Sequence, residues 1–418
     1  MTQAVILAGG RGTRLAPLTD SIPKPMVDVN GEPFLAHLIT LLAGQGVTVV
    51  LLLTGYRGEQ IEDHFGSGGE FGLTIRYSHG PEEWSTGERL LAANDDLDSM
   101  FLLLYADNYV AFEMAKLLEH APDSHASMVL TVCPKASGNI VLNPDGSVLK
   151  YLRDRSIGGG EFVEVGFSLT NRDRLLHAVE LNGGSLPAAI ESLTAAGEVR
   201  ANVVSHPYFS VSDPQRLERT RQALSRRRVL LLDRDGVINV KAPTGEYVSR
   251  FEDFEPIMGN WRALAKLAEQ GFSFIIISNQ AGVARGMIDP ADLDYLHGRM
   301  LKDMQDLGLN VLGIYVCPHH WDDNCCCRKP LPGMFNLAAD EHSFLLADVI
   351  YVGDDVRDEA AALAAGCTSV LIGPEAELAG AASTGQFDDL TQAIPFITDH
   401  YENRDRSTPS STRIDGGR

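Results

Sequence analysis

The 418-residue sequence lacks any apolar run close to the roughly 20 residues that a membrane-spanning helix needs. Its first residues, MTQAVILAGGRG, lack the basic leader and sustained apolar core of a signal peptide. Basic residues are also few, since 35 Lys and Arg stand against 56 Asp and Glu, which gives a formal net charge of -21. That balance argues against nucleic acid or an anionic membrane as a partner. We therefore expect a cytoplasmic protein with neither kind of partner.

Cysteine is scarce, but it is clustered. Four of the six cysteines lie within eleven residues, namely Cys317, Cys325, Cys326 and Cys327. Such a cluster in a chain without a secretion signal indicates a metal site rather than a disulfide framework. Cys317 and His319 are two residues apart, as are Cys325 and Cys327, so two such pairs can wrap a tetrahedral Zn²⁺. His320 and Cys326 are alternative ligands with poorer spacing.

Length and composition predict more than one domain. A chain of 418 residues exceeds one ordinary domain, and 44% hydrophobic with 22% charged residues is typical of a globular protein. Apolar runs alternate with helical segments, which predicts an α/β fold with two doubly wound, Rossmann-like domains. We expect the first domain at residues 1–224, a linker at 225–228, the second domain at 229–402 and a disordered tail at 403–418.

The second predicted domain opens with VLLLDRDGVIN, an apolar run that ends in Asp233 and Asp235. A short apolar run closed by turn residues suits a buried parallel strand, and ligands bind at the carboxyl ends of such strands. The two acids can share one Mg²⁺, or one can attack while the other moves a proton. A capping or turn role for these acids is about equally probable from this segment alone.

Three later segments also place polar residues after apolar runs. Ser278 and Asn279 follow the strand predicted at 272–277, where a hydroxyl and an amide suit a phosphate contact, although Ser278 also suits a helix N-cap. Arg328 and Lys329 directly follow the cysteine cluster. Asp354 follows the strand predicted at 349–353.

This order of acids, hydroxyl, lysine and acid resembles the haloacid-dehalogenase-type phosphatases over residues 229–374. The segments DRDGVIN, SNQAGVARG, CPHH, CRKP and VGDD are most similar to those of the D-glycero-D-manno-heptose 1,7-bisphosphate phosphatases, and histidinol-phosphate phosphatases are close relatives. The resemblance implies that Asp233 is the nucleophile and that Asp235 is the general acid and base. It also implies that Ser278 and Lys329 hold the phosphoryl oxygens.

The same resemblance implies the cofactors of this domain. Mg²⁺ is expected on Asp233, the backbone carbonyl of Asp235, and Asp354. Asn279 and Arg328 are expected to shape substrate binding. The Zn²⁺ of the cysteine cluster is expected to be structural.

The first predicted domain opens with a strand at residues 3–8 and the turn Gly9-Gly10-Arg11-Gly12-Thr13-Arg14. Glycine lets backbone amides approach a phosphate closely. LAGGRGTRLAPLT with PKPM resembles the signature of the sugar-1-phosphate nucleotidyltransferases over residues 3–224, and the segment from Gly55 to Ser78 resembles members that act on heptose 1-phosphate.

The second resemblance also assigns roles. Its implied nucleotide-lining residues are Gly9, Gly10, Gly12 and Thr13. Arg14 and Lys24 are expected to offset charge on the reacting phosphates, and Asp107 to hold Mg²⁺. The expected substrates are a phosphorylated sugar and an NTP, with GTP favoured.

The first domain departs from this family's pattern in four places. Glu88 stands where a small residue is usual, and only Arg153 and Arg155 lie near the place of a sugar-phosphate lysine. Glu164 fits the sugar-side segment loosely. Ser210 occupies the position of a second metal-binding aspartate, with Asp213 three residues later, which weakens the expected Mg²⁺ site.

Both resemblances lead to one pathway, because the phosphatase product is the acceptor that the transferase needs. We expect a bifunctional enzyme of nucleotide-activated heptose synthesis. One alternative joins a phosphatase of the histidinol-phosphate type to an unrelated transferase. Another makes the first domain a module that binds nucleotide or sugar phosphate without catalysis.

Overall fold

The computed structural model describes residues 3–119, 126–154, 158–374 and 383–407. Contacts between Cα atoms divide the chain into two units, one up to Arg221 and the other from Gln222 onward. Each unit is described by itself below. Within the described ranges, no helix is both long enough and apolar enough to cross a bilayer.

The first unit is a mixed sheet flanked by helices. Its strands are β1 Gln3–Ala8, β2 Asp28–Val29, β3 Glu32–Pro33, β4 Val49–Thr54, β5 Thr74–His79, β6 Met100–Tyr105, β7 Asn108–Tyr109, β8 Met128–Gly138, β9 Ile140–Leu142, β10 Val148–Tyr151, β11 Gly160–Asn171, β12 Val199–Val203 and β13 Phe209–Ser210. Its helices are α1 Phe34–Gly44, α2 Gly58–Phe65, α3 Thr86–Ala92, α4 Met114–Glu119, α5 Arg172–Leu181, α6 Leu186–Ala195 and α7 Pro214–Ala223.

Four parallel strands form the part of this sheet that matters for function. Their spatial order is β6-β1-β4-β5, and β1 is buried along its whole length. The chain runs from β1 outward through β4 to β5 and then returns to the other side of β1 as β6. The strand order therefore reverses between β1 and β6, and ligands of open α/β sheets bind at such a reversal.

The second unit is a parallel six-stranded sheet with helices. Its strands are β14 Arg228–Leu232, β15 Phe272–Asn279, β16 Val311–Cys317, β17 Ile350–Gly353, β18 Thr368–Ile372 and β19 Gly385–Phe387. Its helices are α8 Met258–Glu269, α9 Pro290–Asp306, α10 Gly333–His342, α11 Val356–Ala365 and α12 Leu390–Ser407. The strand order β16-β15-β14-β17-β18-β19 reverses between β14 and β17.

Local sequence explains where several helices begin. Asp289 accepts a hydrogen bond from Ala291 N at the start of α9, where Pro290 supplies the first helical position. Asp355 caps α11 in the same way. The strands are runs of Val, Ile and Leu buried on both faces, as parallel strands covered by helices must be.

The predicted α/β fold with two doubly wound units is confirmed. One expectation was wrong, because residues 403–407 do not belong to a disordered tail but continue α12 to Ser407. Tyr401 anchors this helix: its ring is fully buried, and its hydroxyl bonds Val229 O and Ile350 N. Asp405 also forms an ion pair with Arg228. This pair holds the last turns of α12, which have few apolar residues to bury. Residues 408–418 lie outside the described part of the chain.

The expected linker at 225–228 also differs from the structure. Arg228 is already the first residue of β14, and its NH groups reach Asp405 at 3.4 Å. Arg227 donates to the carbonyl oxygens of His342 and Ser343. These contacts bind the end of the basic triplet to the second unit.

Candidate active sites

The candidate phosphatase site lies where the strand order of the second unit reverses. Asp233 directly follows β14, and Asp354 directly follows β17. Ser278 is the second-last residue of β15 and is buried to 1% exposure. These three residues and Lys329 line one cavity of about 470 Å³. The carboxyl ends of neighbouring parallel strands meet at one edge, which is why segments distant in sequence converge here.

Lys329 is the centre of this site. Its Nζ lies 2.8 Å from Asp233 Oδ1 and 2.7 Å from Asp358 Oδ1, and it also donates to the Tyr351 hydroxyl at 2.8 Å. Burial alone would lower the pKa of Lys329, but the two carboxylates outweigh it and raise the pKa. The ammonium group is therefore charged and fixed. Asp358 was not assigned from sequence, although its place one helical turn after Asp354 was a usable signal.

Three carboxylates lie close together at this site. Oxygens of Asp233, Asp354 and Asp358 all lie within 4.8 Å of one another. Burial and then Asp358 raise the pKa of Asp233, and burial raises the pKa of Asp354 to about 6. Asp354 Oδ1 is buried and accepts no hydrogen bond from the part of the chain that the structure describes. A hard divalent cation fits this set, because it would neutralise the excess negative charge and use the orphan oxygen.

Gly236 explains how Asp354 reaches the site. The residue has φ of 92°, and a Cβ atom there would lie 2.0 Å from Asp354 Oδ2. Only glycine fits both the left-handed backbone and this close approach. Lys241, from the loop after β14, holds the same oxygen at 2.8 Å.

Asp235 accepts hydrogen bonds from the N–H groups of three side chains. They are the Arg234 guanidinium at 2.9 Å, Asn239 Nδ2 at 2.9 Å and Gln280 Nε2 at 2.8 Å. Burial would raise the pKa of Asp235, but Arg234 and these bonds outweigh it and lower the pKa. Arg234 is fully buried and donates to His297 Nε2 at 3.2 Å. Sequence reasoning missed Arg234 and Gln280.

Asn279 and Arg328 also lie in the cavity wall. The Asn279 amide group donates to Lys329 O and accepts from Lys329 N, both at 3.0 Å. Asn279 therefore fixes the backbone that carries the central ammonium group. Arg328 Nη1 is buried and has no hydrogen-bond partner among the described residues, so its charge can serve a ligand.

The structure brings the four predicted zinc ligands together. The ligand atoms of Cys317, His319, Cys325 and Cys327 all lie within 4.8 Å of one another. His319 Nδ1 is 3.1 Å from Cys327 Sγ, and Cys317 Sγ is 3.4 Å from Cys327 Sγ. Cys326 lies outside the group and is exposed. Three cysteine sulfurs and one imidazole nitrogen in this arrangement suit a tetrahedral metal centre.

The candidate nucleotide site lies at the reversal in the first unit. A cavity of about 210 Å³ is lined by Gly9, Gly10, Lys24 and Asp107. Lys24 Nζ contacts Asp107 Oδ2 directly. The next residues of the loop do not line this cavity. They are Gly12 and the short 3₁₀ helix Thr13–Leu15, which includes Arg14. Of the residues predicted for this site, Gly9, Gly10, Lys24 and Asp107 therefore line one cavity.

Arg89 is a further site residue that sequence reasoning missed. Its side chain is buried to 5% exposure and lines the same cavity. It donates to the carbonyl oxygens of Thr54 and Pro81. A Cβ atom at Gly9 or at Gly55 would lie 2.4 Å from the guanidinium group. The glycine loop therefore rests on a buried cation, and a side chain at its first glycine would have to displace that guanidinium group.

The unusual Glu88 has a local structural role. It is the third residue of α3, where its carboxylate accepts from Ser85 N at 2.7 Å and Ser85 Oγ accepts from Glu88 N at 3.1 Å. These two bonds form a capping box, and they lower the pKa of Glu88. Glu88 therefore does not argue against catalysis.

Ser210 lies directly beside the candidate metal acid. It pairs with Asn108 across β13 and β7, and Val211 N donates to Asp107 O at 2.9 Å. Asp213 is not free to act as the missing second metal ligand. Its Oδ1 already accepts a hydrogen bond from Arg216 N, at 2.9 Å, at the start of α7. Arg216 Nη1 lies 3.3 Å from Ser210 Oγ. The second acid of the family pattern is thus replaced by a hydroxyl and a nearby cation.

Of the two arginines near the place of the expected sugar-phosphate lysine, the structure describes only Arg153. Arg153 pairs with Glu191 of α6 at 2.7 Å, and Arg155 lies outside the described residues. Glu164 is buried and accepts from the Tyr151 hydroxyl at 3.1 Å.

Comparison with known proteins agrees with this division into two sites. Residues 3–139 match the nucleotidyl transferase family, and residues 326–393 match the HAD-hydrolase-like family. The D-glycero-beta-D-manno-heptose-1,7-bisphosphate 7-phosphatase of Bordetella bronchiseptica is 38% identical over 145 residues, covering 35% of this chain and 80% of that protein. The enzyme of the same name from Escherichia coli K12 is 38% identical over 179 residues, covering 40% and 92%.

Two solved structures are also similar. The magnesium and phosphate complex of D,D-heptose 1.7-bisphosphate phosphatase from B. bronchiseptica has 34% identity and covers 41% of this chain and 98% of its own, with a TM-score of 0.39. HddC from Yersinia pseudotuberculosis, complexed with GMP-PN, has 23% identity and covers 52% and 97%, with a TM-score of 0.45.

The fold and the Asp233 site define the second unit as a HAD-type hydrolase. By its identity to relatives that it covers over most of their length, the chain belongs to the D-glycero-beta-D-manno-heptose-1,7-bisphosphate 7-phosphatase family. The first unit adds a nucleotidyl transferase domain to it.

The Arg234–His297 contact predicts a pH dependence of stability. Burial and then Arg234 lower the pKa of His297 to about 4 from 6.5. Between pH 4 and pH 6.5, His297 is therefore protonated in the unfolded chain but neutral in the folded one. Stability of the second unit should therefore fall as the pH falls through this window, by about 2 kcal/mol between pH 7 and pH 5. His297→Gln keeps an acceptor for Arg234 without the titration, so it should flatten that slope in urea unfolding. An unchanged slope would contradict the assignment.

Proposed function

We propose that this chain performs two consecutive steps in the synthesis of a nucleotide-activated heptose. The second unit removes the C7 phosphate from D-glycero-D-manno-heptose 1,7-bisphosphate. The first unit transfers a nucleotidyl group, with GTP as the expected donor, to the resulting heptose 1-phosphate. The observation that carries the proposal is the Lys329 ammonium group held between Asp233 and Asp358, in a cavity with Ser278 and Asp354.

In the first half of the phosphatase reaction, a carboxylate oxygen of Asp233 attacks the phosphorus atom of the C7 phosphate. The bond between phosphorus and the sugar oxygen breaks, and Asp235 gives the leaving oxygen its proton. Ser278 and Lys329 hold the phosphoryl oxygens as charge develops on them. Mg²⁺, bound by Asp233, the backbone carbonyl of Asp235, and Asp354, would neutralise phosphoryl charge.

In the second half, Asp235 takes a proton from water, and the oxygen of that water attacks the aspartyl-phosphate. Inorganic phosphate leaves and Asp233 is regenerated. The hydrogen bonds that Asp235 accepts from Arg234, Asn239 and Gln280 orient its carboxylate for both proton transfers.

In the first unit, a phosphate oxygen of heptose 1-phosphate attacks the α-phosphorus of the NTP and expels pyrophosphate. Amide groups of Gly9 and Gly10 and the charge of Lys24 line the cavity that would receive the nucleotide. Arg14, Gly12 and Thr13 are proposed to reach the phosphates from the following turn. Asp107 is proposed to hold Mg²⁺. In the structure, the Asp107 carboxylate forms an ion pair with Lys24.

Zinc in the cysteine group is proposed to be structural. All four ligand positions come from protein side chains, as in closed structural sites, and the loop that they fix leads directly into Arg328 and Lys329. A cytoplasmic location is part of the same proposal, because reduced thiols persist in a reducing compartment.

The phosphatase assignment is tested by Asp233→Asn. This change removes the attacking oxygen anion, so phosphate release from the heptose bisphosphate should stop. Asp235→Asn should retain slow turnover, reduced by a factor on the order of 10²–10⁴, as expected for loss of a general acid. Near-normal phosphate release by Asp233→Asn in a steady-state assay would refute the mechanism.

The zinc assignment is tested by a matched pair of neighbouring changes. Cys325→Ser should lose the zinc ion, about one per chain, and lower the melting temperature, because structural zinc contributes folding energy. Cys326→Ser alters an exposed thiol outside the group and should keep both zinc and stability. Elemental analysis and thermal unfolding measure the two outcomes. Equal losses in both variants would show that the ligand set is wrong.

The transferase assignment is tested at Asp107 and Ser210. Asp107→Ala should abolish pyrophosphate release, because Mg²⁺ then loses the carboxylate that is proposed to hold it. Ser210→Asp restores an acid next to Asp107 and should lower the Mg²⁺ concentration needed for half-maximal rate. Ser212→Asp is the control, since Ser212 Oγ lies 3.3 Å from Ser210 Oγ but Ser212 stands two positions beyond the pair of Ser210 and Asn108. If no NTP yields pyrophosphate even with Ser210→Asp, the first unit is a binding module.

A further inference from the structure

Behind the phosphatase cavity, a buried histidine of α9 contacts the arginine that holds Asp235. The cavity wall includes Asp235, but neither Arg234 nor His297 lines it. Arg234 is fully buried, and His297 is 7% exposed in the middle of α9. Neither side chain is placed to touch a substrate in this cavity, so any contribution that they make to the reaction acts through Asp235.

The Arg234 guanidinium group joins Asp235 to α9. Its Nη2 lies 2.9 Å from each carboxylate oxygen of Asp235, and its Nε lies 3.2 Å from Oδ1. Its other terminal nitrogen, Nη1, donates to His297 Nε2 at 3.2 Å. Among the described residues, His297 is the only hydrogen-bond partner of Nη1. Because arginine can only donate, the His297 Nε2 atom in this contact carries no proton.

The ion pair of Arg234 and Asp235 cannot fix its own position in the site. The two residues are neighbours in the loop after β14, so they move together when that loop moves. Gln280 anchors one oxygen of Asp235 directly, at 2.8 Å. The guanidinium group is anchored by Val248 O at 3.3 Å, from an irregular segment, and by His297, from a helix of 17 residues. His297 is therefore the one anchor of the guanidinium group that a helix carries.

The surroundings of His297 on α9 are apolar. The buried face of this helix consists of Leu293, Leu296, His297, Met300 and Met304. A polar side chain on such a face is costly unless it has a hydrogen-bond partner. Packing alone would be served better by another apolar residue, so the contact with Arg234 is what gives a histidine a use at this position.

We propose that His297 is a positioning residue of the phosphatase reaction. Through Arg234, it holds the Asp235 carboxylate where that group can protonate the leaving oxygen and later take a proton from water. Without the acceptor, one N–H group of a buried cation is left unpaired, which is especially costly for a charged group. The guanidinium group then turns to find a partner and carries the carboxylate with it. This inference rests on the proposed role of Asp235.

The resulting defect depends on the leaving group. The sugar oxygen would leave as a strongly basic alkoxide, so its departure needs the proton of Asp235. p-Nitrophenolate is a stable anion and leaves without that proton. A misplaced acid therefore slows attack on the sugar phosphate and spares p-nitrophenyl phosphate. Loss of folded protein or of phosphate binding slows both reactions equally.

The test compares kcat/KM for heptose 1,7-bisphosphate and for p-nitrophenyl phosphate in the presence of Mg²⁺. His297→Leu should lower the value for the bisphosphate about 10-fold, through kcat rather than KM, and change the value for p-nitrophenyl phosphate by less than about twofold. Gln280 still holds one oxygen of Asp235, so the loss is smaller than in Asp235→Asn. His297→Gln offers Oε1 in place of Nε2 and should restore both values.

Met300→Ala is the matched control. Met300 is fully buried three residues further along α9, so this change removes packing from the same helix face but no hydrogen-bond acceptor of Arg234. It should lower the melting temperature and leave the ratio of the two kcat/KM values unchanged. His297→Phe keeps a ring without an acceptor and carries the same prediction as His297→Leu, which it replaces if the leucine variant does not fold.

Equal losses on both substrates in the His297 variants, or an unchanged ratio, would show a structural role and overturn the inference. A His297→Gln variant as impaired as His297→Leu would overturn it as well. Asp235→Asn separates the inference from the proposed function, because it should show the same leaving-group dependence with a larger loss. If Asp235→Asn loses equally on both substrates, the proposed role of Asp235 fails and the inference fails with it. Leaving-group dependence in Asp235→Asn but not in the His297 variants overturns the inference alone.

Discussion

The phosphatase site depends on one buried ammonium group, the Nζ atom of Lys329. It compensates Asp233 and Asp358, both of which are almost fully buried and would be too costly to ionise alone. Asn279 holds its backbone from both sides, and the cysteine group lies directly before it in the chain. Removing this cation would leave uncompensated carboxylates in the core. The loops around it are arranged to keep it in place.

One geometric rule places both candidate sites. In each unit the chain builds its sheet outward from a first strand and then returns to the other side of that strand, so loops diverge at the reversal. In the first unit this separates the Gly9 loop from Asp107, and in the second it separates Asp233 from Asp354. Glycines then permit the closest approaches, as at Gly9 against Arg89 and at Gly236 against Asp354. The cavities follow from strand order together with these contacts.

The same rule explains what could be predicted from sequence. Asp233, Ser278 and Asp354 each end an apolar run, so their convergence follows from any parallel sheet, and the spacing of the cysteines indicates which of them can meet. Arg89 and Arg234 could not be predicted, because nothing local distinguishes a buried arginine from a solvated one. The helix around Tyr401 could not be predicted for a similar reason. The Tyr401 hydroxyl bonds residues more than 50 positions away in the chain. These bonds stabilise a helix that the polar sequence after Tyr401 does not favour.

The central claim is that one chain converts a heptose bisphosphate into a nucleotide-activated heptose. The most direct measurement incubates the purified chain with heptose 1,7-bisphosphate, Mg²⁺ and GTP, and follows phosphate and pyrophosphate separately. We expect phosphate to appear first and pyrophosphate to follow as heptose 1-phosphate accumulates. Supplying heptose 1-phosphate directly should give pyrophosphate without the phosphatase step. Phosphate release with no pyrophosphate from either starting sugar, for any NTP, would contradict the account.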